Sequence, residues 1–289
     1  MSTTGTTAAR FRFDRSELLE LADSQREAYR SAHPFPHVVI DDLLPAGVLM
    51  DVLEEFPTPG QGEWHAFDSP LERKLATKDD STMGDATRRL LAELNSAAFI
   101  DFLARLTGID GLVPDPHFVG GGLHQIERGG HLKVHADFNR HPRTDLERRL
   151  NVIVYLNRDW KPEYGGALEL WSQDMRACEQ KILPLFNRCV VFSTTDTSFH
   201  GHPEPLNCPE GETRKSLALY YYSRPHSGDD SGPEHNTLFR ARPGERLPDQ
   251  GIPEPRRGYA RVKHAVRRVT PPLVIDAVRA VRRRRAERP

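Results

Sequence analysis

Apolar positions along the chain change their spacing near residue 110. Before it they recur at three- and four-residue intervals, which stacks side chains on one helix face. Leu18, Leu19, Leu21 and Ala22 follow Ser16, a capping residue type, and predict a first helix. The segment His33-Pro-Phe-Pro-His37 ends it, and Val38-Val39-Ile40 reads as a short buried strand. Pro45 suits the first turn of a second helix with Val48, Leu49, Val52, Leu53 and Phe56 on one face. Residues 57–83 read as a polar loop. Leu90, Leu91, Leu94, Phe99, Phe102, Leu103 and Leu106 then predict a helical stretch with Gly108 as its C-cap.

From Gly111 to Pro225 the apolar runs are short, β-branched and aromatic: Leu150–Leu156, Ala167–Trp171, Arg188–Phe192 and Ser216–Tyr222. Gly, Pro, Asn and Asp separate them, the pattern of a β-sandwich or barrel. The expected organisation has three parts. Residues 1–110 form a mostly helical support, 111–225 a β-rich core, and 226–289 a connector with a basic C-terminal helix or tail.

Composition narrows the class. Hydrophobic residues make up 37% and charged residues 28% of the 289, a soluble globular balance. The N-terminal stretch has no apolar core of a secretory signal. The three cysteines lack C-x-x-C spacing and support neither a disulfide framework nor a cysteine zinc site, so a cytoplasmic location is expected. The net charge of −1 conceals an asymmetry. Residues 256–289 hold 12 bases and 2 acids, which leaves −11 on the rest. An acidic body argues against a nucleic-acid substrate, because phosphate binding wants basic surface. The tail, with Leu273, Val274, Val278 and Val281 at helical spacing before Arg282–Arg285, suits an anionic partner or membrane surface.

The chemistry centres on His135-Ala136-Asp137. Residues i and i+2 of a strand face the same way, so His135 and Asp137 can converge on one metal ion. A third ligand would complete a two-histidine, one-carboxylate triad with open positions. With 13 His and 41 acids, chance alone supplies about two such pairs; the chain has two, the other being His202-Pro203-Glu204. Context selects the first. It follows Gly120–Gly122 and Gly129-Gly130 and precedes the strand Leu150–Leu156; His200, His202, then Arg214-Lys215-Ser216 come later, in that order. His200 and His202 are also i, i+2 and can share a face.

The stretches LHQIERGGHLKVHADFN (123–139), RLNVIVYLNRDW (149–160), GGALELW (165–171), NRCVVFSTTDTSFHGHPEPL (187–206) and TRKSLALYYYSRP (213–225) carry a family likeness. Across roughly residues 117–225 the chain resembles the prolyl 4-hydroxylase-like branch of the 2-oxoglutarate/Fe(II)-dependent dioxygenases. The resemblance implies an α+β fold with a double-stranded β-helix (jelly-roll, cupin-like) core, flanking helices and a helical N-terminal third. It implies Fe(II) held by His135, Asp137 and His200, the last placed by the Ser198-Phe199-His200 element. Arg214 would grip the distal carboxylate of 2-oxoglutarate, with Tyr155 and Ser216 beside it. Some relatives carry Lys at the place of Arg214, and Arg can bind a carboxylate bidentately. Gln125 either faces the pocket or is a buried packing residue, and His202 is a candidate for catalysis, for the layer behind the ligands or for facing substrate. The implied reaction uses O2 and 2-oxoglutarate, supported by ascorbate, to hydroxylate an unactivated C–H bond, with succinate and CO2 as co-products. Related halogenases resemble this pattern with Ala or Gly at the carboxylate position, so Asp137 points to hydroxylation. The substrate classes are a prolyl or other peptidyl residue, a free amino acid or a natural-product intermediate.

Two other readings compete. One is a non-catalytic jelly-roll binding module, which fold alone does not exclude. The other is a cupin-type metal-dependent hydrolase or isomerase with the same three ligands. Arg214 and Ser216 discriminate, because neither alternative needs a site for a 2-oxo acid.

Overall fold

In the computed structural model, which describes residues 11–61, 63–225 and 233–248, Asp14 rather than Ser16 caps the first helix, α1 (Arg15–Ser31). The Asp14 carboxylate accepts from the backbone N–H groups of Ser16 and Glu17. Helix α2 (Ala46–Glu54) begins just after Pro45, as its fixed φ favours. The third apolar stretch splits into α3 (Asp85–Leu94) and α4 (Ala97–Thr107). Asn95 closes α3, and the Ser96 hydroxyl accepts from Phe99 N to open α4. Gly108 ends α4 at φ 75°, a left-handed conformation that favours glycine. Among the described residues no helix is long and apolar enough to cross a membrane. The expected basic C-terminal helix lies outside the described residues.

Strand β1 (His37–Asp41) forms where the Val-Val-Ile run predicts it. The expected polar loop over 57–83 instead holds a hairpin of β2 (Trp64–Asp68) and β3 (Glu72–Thr77). Its side chains are mostly exposed or half-buried, so no apolar alternation marks it. Partners distant in sequence organise it: β3 pairs with β5 (Gly122–Glu127) and with β6 (His131–Ala136).

The remaining strands are β4 (Val113–Pro114), β7 (Glu147–Tyr155), β8 (Leu168–Trp171), β9 (Cys178–Ile182), β10 (Arg188–Ser193), β11 (His200–His202), β12 (Thr213–Ser223) and β13 (Leu238–Phe239). The order is β1-β10-β7-β12-β5-β3-β6-β11-β8-β9, and every pairing between strands is antiparallel. Strand β3 bridges two layers, so the sheet curls on itself into the double-stranded β-helix. Strands β1 and β3, from the N-terminal third, are built into this sheet.

Period-2 alternation divides the central strands. Leu150, Val152 and Val154 of β7, Leu217, Leu219 and Tyr221 of β12, and Val191 of β10 join one apolar cluster with Leu90, Leu94, Phe99 and Leu103 of the helices. Each such Leu, Val or Phe contributes about 1.5–3 kcal/mol on burial. The alternate residues face the inside of the roll. There Tyr155, Val190 and Phe192 pack with Leu168 and Leu170 of β8.

Candidate active site

Strand β6 delivers His135, and its end delivers Asp137. Strand β11 lies antiparallel beside it with His200 directly opposite His135. The imidazole centroids are 4.5 Å apart. One potential ligand atom from each of His135, Asp137 and His200 falls within 4.8 Å of the other two. His135 Nε2 lies 3.6 Å from Asp137 Oδ1, and His200 Nε2 lies 3.5 Å from Asp137 Oδ2.

Backbone carbonyls fix the imidazole tautomers. His135 Nδ1 is 2.9 Å from Lys133 O, and His200 Nδ1 is 2.9 Å from Ser198 O. A carbonyl only accepts, so both Nδ1 atoms donate and both Nε2 atoms turn lone pairs toward the same point. Burial pulls the His200 pKa down to about 4, against the opposing pull of Asp137. The ring is therefore neutral at pH 7, as a ligand must be. Burial pushes the Asp137 carboxyl up, but the Arg148 guanidinium and the two imidazoles outweigh it and hold its pKa well below the ordinary value.

A second layer holds the carboxylate. Asn151 Nδ2 donates to Asp137 Oδ2 over 2.8 Å, and Arg148 Nη2 reaches the same oxygen at 3.1 Å. The Arg148 side chain is buried, stacks over Tyr220 with Cζ 3.4 Å from the ring centroid, and donates to Asn151 Oδ1. The sequence pattern left Arg148 and Asn151 unassigned. Alternation along β7 would pair Asn151 with Arg149. A shift in register opposite Tyr221 and Tyr222 turns Arg148 inward instead.

Further inside, Arg214 of β12 meets Tyr155 of β7. Arg214 Nη2 donates to Tyr155 Oη over 3.2 Å, and Nε donates to Gly166 O over 2.8 Å. Gly166 sits at φ +72, and a Cβ there would lie 2.6 Å from Leu206 Cδ2 and 2.9 Å from Arg214 Cδ. The glycine therefore lets the guanidinium pass. Ser216 shares the Arg214 face and is buried in register with Tyr155. Arg214 is 5% exposed, and among the described residues no carboxylate lies within ion-pair distance of it. Burial lowers its pKa and Tyr155 partly restores it. A desolvated guanidinium without an internal counter-ion suits an anion from outside. The residues thus fit both parts of the expected cofactor set: three donors for a divalent metal, and a cation for a dicarboxylic acid.

Two other candidates differ. Of the two places open to Gln125, the structure gives it the packed face and not the pocket. It shares a face with Leu123 and Leu217, donates to Pro57 O over 3.1 Å and accepts from Thr213 Oγ1 over 2.9 Å. It is the immediate neighbour of His124, which therefore lies on the opposite, inner face in register with Ser216. His202 is 4% exposed, and neither ring nitrogen has a hydrogen-bond partner among the described residues. Phe239 of β13 was also unmarked in the sequence; it pairs with His135 and brings its ring 5.5 Å from the imidazole.

Comparison with known proteins agrees with this geometry. Residues 121–222 match the model of the 2OG-Fe(II) oxygenase superfamily. A prolyl 3-hydroxylase of Mus musculus, OGFOD1, is 28% identical over 137 residues, which are 46% of this chain and 23% of that protein. The chain thus spans under a quarter of this curated relative. The fold resembles a Pseudomonas putida prolyl-4-hydroxylase (TM-score 0.50, 19% identity, covering 72% of this chain and 99% of the other). It also resembles a Trichoplax adhaerens prolyl hydroxylase solved with a hypoxia inducible factor peptide (TM-score 0.52, 17% identity, covering 72% of this chain and 91% of the other). Residues 121–222 are thus similar to the 2OG-Fe(II) oxygenase superfamily, and the chain shares the fold of these prolyl hydroxylases.

Proposed function

We propose that this protein is an Fe(II)- and 2-oxoglutarate-dependent dioxygenase that hydroxylates an unactivated C–H bond. The supporting observation is a buried guanidinium, Arg214, with no acidic partner among the described residues, on the inner surface that also carries His135, Asp137 and His200. Neither a jelly-roll binding module nor a cupin-type hydrolase has a use for that charge. When bound, Fe(II) with O2 and 2-oxoglutarate supplies the oxidant, and the oxo acid leaves as succinate and CO2.

The chain's own residues bind, orient and exclude water. His135, Asp137 and His200 supply three ligand atoms and leave the remaining metal positions open. Arg148 and Asn151 keep the Asp137 carboxylate ionised and aimed. Arg214 holds the distal carboxylate of the oxo acid, with Tyr155 and Ser216 alongside. Phe192, whose ring lies 4.8 Å from that of His200, keeps one side of the centre dry. Retention of a carboxylate at Asp137 supports hydroxylation rather than halogenation.

The relatives that act on prolyl residues support a peptidyl, prolyl-type substrate, with a free amino acid or natural-product intermediate as the small-molecule case. Three free cysteines agree with a reducing, cytoplasmic setting. The basic tail suits an anionic partner. Incubation with Fe(II), ascorbate and 2-oxoglutarate should yield succinate, raised further by the true substrate. Absence of both metal-dependent 2-oxoglutarate binding and succinate formation would overturn the reading.

A further inference from the structure

His202 is a buried imidazole that the activity above does not use. It is 4% exposed, and both ring nitrogens lack a partner among the described residues. A neutral or a protonated imidazole carries at least one N–H. Leaving such a group buried and unbonded costs about 1–3 kcal/mol, enough to ask what it bonds.

Strand register locates it. His200 lies opposite Leu170 and Gly201 opposite Glu169. Continuing the ladder brings His202 beside Leu168, two residues beyond Gly166, whose carbonyl takes the Nε–H of Arg214. Burial acts first on the ring, and the largest charge effects after it come from bases: Arg214, Lys74, His131 and His135. Arg and Lys only donate, so they cannot receive the imidazole N–H. An unbonded imidazole N–H on the interior face that carries the Arg214 guanidinium calls for an acceptor with several lone pairs and negative charge. A carboxylate meets that need.

We propose that His202 is a specificity-determining residue for the 2-oxo acid, donating a hydrogen bond to the same distal carboxylate that Arg214 grips. This rests on the reading of the protein as a 2-oxoglutarate-dependent enzyme. His202 would make the pocket selective for a dicarboxylic over a monocarboxylic 2-oxo acid, in addition to the selectivity Arg214 confers.

The test is equilibrium binding to the Mn(II)-loaded full-length protein, with no turnover required. Two ligands are compared: 2-oxoglutarate and 2-oxopentanoate, which has the same chain without the distal carboxylate. His202→Val and His202→Leu are carried together, so that a fold defect in one leaves the other to decide; His202→Gln restores a donor. The expected result is a roughly 10-fold or greater loss of 2-oxoglutarate affinity in the Val and Leu variants. Affinity for 2-oxopentanoate and Mn(II) should stay within about 2-fold, with Gln in between. Unchanged 2-oxoglutarate affinity, or equal loss for both oxo acids, overturns the assignment while leaving the enzymatic reading standing. Loss of Mn(II) itself would make His202 a ligand and overturn it too. Wild-type protein that fails to bind 2-oxoglutarate overturns the underlying reading as well.

Discussion

The two faces of the β7–β12 pair differ in almost every physical respect while sharing one backbone. One face carries Leu150, Val152, Val154, Leu217, Leu219 and Tyr221 against the four helices. The other carries Asn151, Tyr155, Arg214 and Ser216, all buried and all polar. The first is held by non-directional apolar burial, which tolerates exchange of one hydrocarbon shape for another of similar volume. The second is held by directed hydrogen bonds, where each atom needs a particular partner. Folding energy comes mainly from the helix side, and the inner side accepts a charged, unpaired arginine because the outer side is so well packed. Stability and chemistry are separated by a single residue step along each strand.

Breaking one face at a time tests this separation. His200→Ala should give the largest effect. It removes a metal donor, so divalent-metal affinity should fall beyond the roughly 10- to 100-fold expected for an outer-layer partner, with turnover at background. Isothermal titration with Mn(II) reads it, and a melting temperature near that of the metal-free wild type would show that the helix side is untouched. Leu217→Ala, one residue from Ser216 and fully buried, should do the reverse. Unfolding in urea should show a loss of about 2–5 kcal/mol, while the folded fraction keeps its metal affinity. Comparable damage to binding would merge the two faces.

Smaller changes sharpen the inner face. Arg214→Met should weaken 2-oxoglutarate binding by about 1.5–3 kcal/mol, the value of a hydrogen bond to a charged group, without lowering metal affinity. Gly166→Ala should act on the same pocket indirectly. Its φ of +72 and the 2.9 Å approach to Arg214 Cδ predict about 1–3 kcal/mol of strain, relieved by moving the guanidinium. A weaker oxo-acid affinity together with lower stability would show this; a change in stability alone would free the glycine from the site. The smallest effect is a pH slope. Burial first, then Lys74, lowers the His124 pKa to about 3 from its ordinary 6.5. The unfolded chain therefore takes up this proton at higher pH than the folded one. That contribution to stability is complete above pH 6.5 and disappears as pH falls toward 3. Melting curves of metal-free protein should show a shallower decline below pH 6.5 in His124→Phe.

The local pattern of residues carried much of this. The change from helical to strand spacing near residue 110, the caps at Pro45 and Gly108, and the ordered set of His135, Asp137, His200 and Arg214 are all written in sequence. The spacing change and the caps depend on short-range rules of side-chain period and residue chemistry, whereas His200 and Arg214 joined His135 and Asp137 through the family resemblance. Tertiary structure decided the rest. It made a β2–β3 hairpin from a polar stretch because β5 and β6 offered edges to pair with. It turned Gln125 away from the pocket, chose Arg148 over Arg149 through a register shift, and set Phe239 beside His135 from about 100 residues downstream. Backbone pairing between distant strands settles which face a residue presents, and one residue of register reverses that choice. Side-chain chemistry is local and readable; the direction in which it points is a property of the closed sheet.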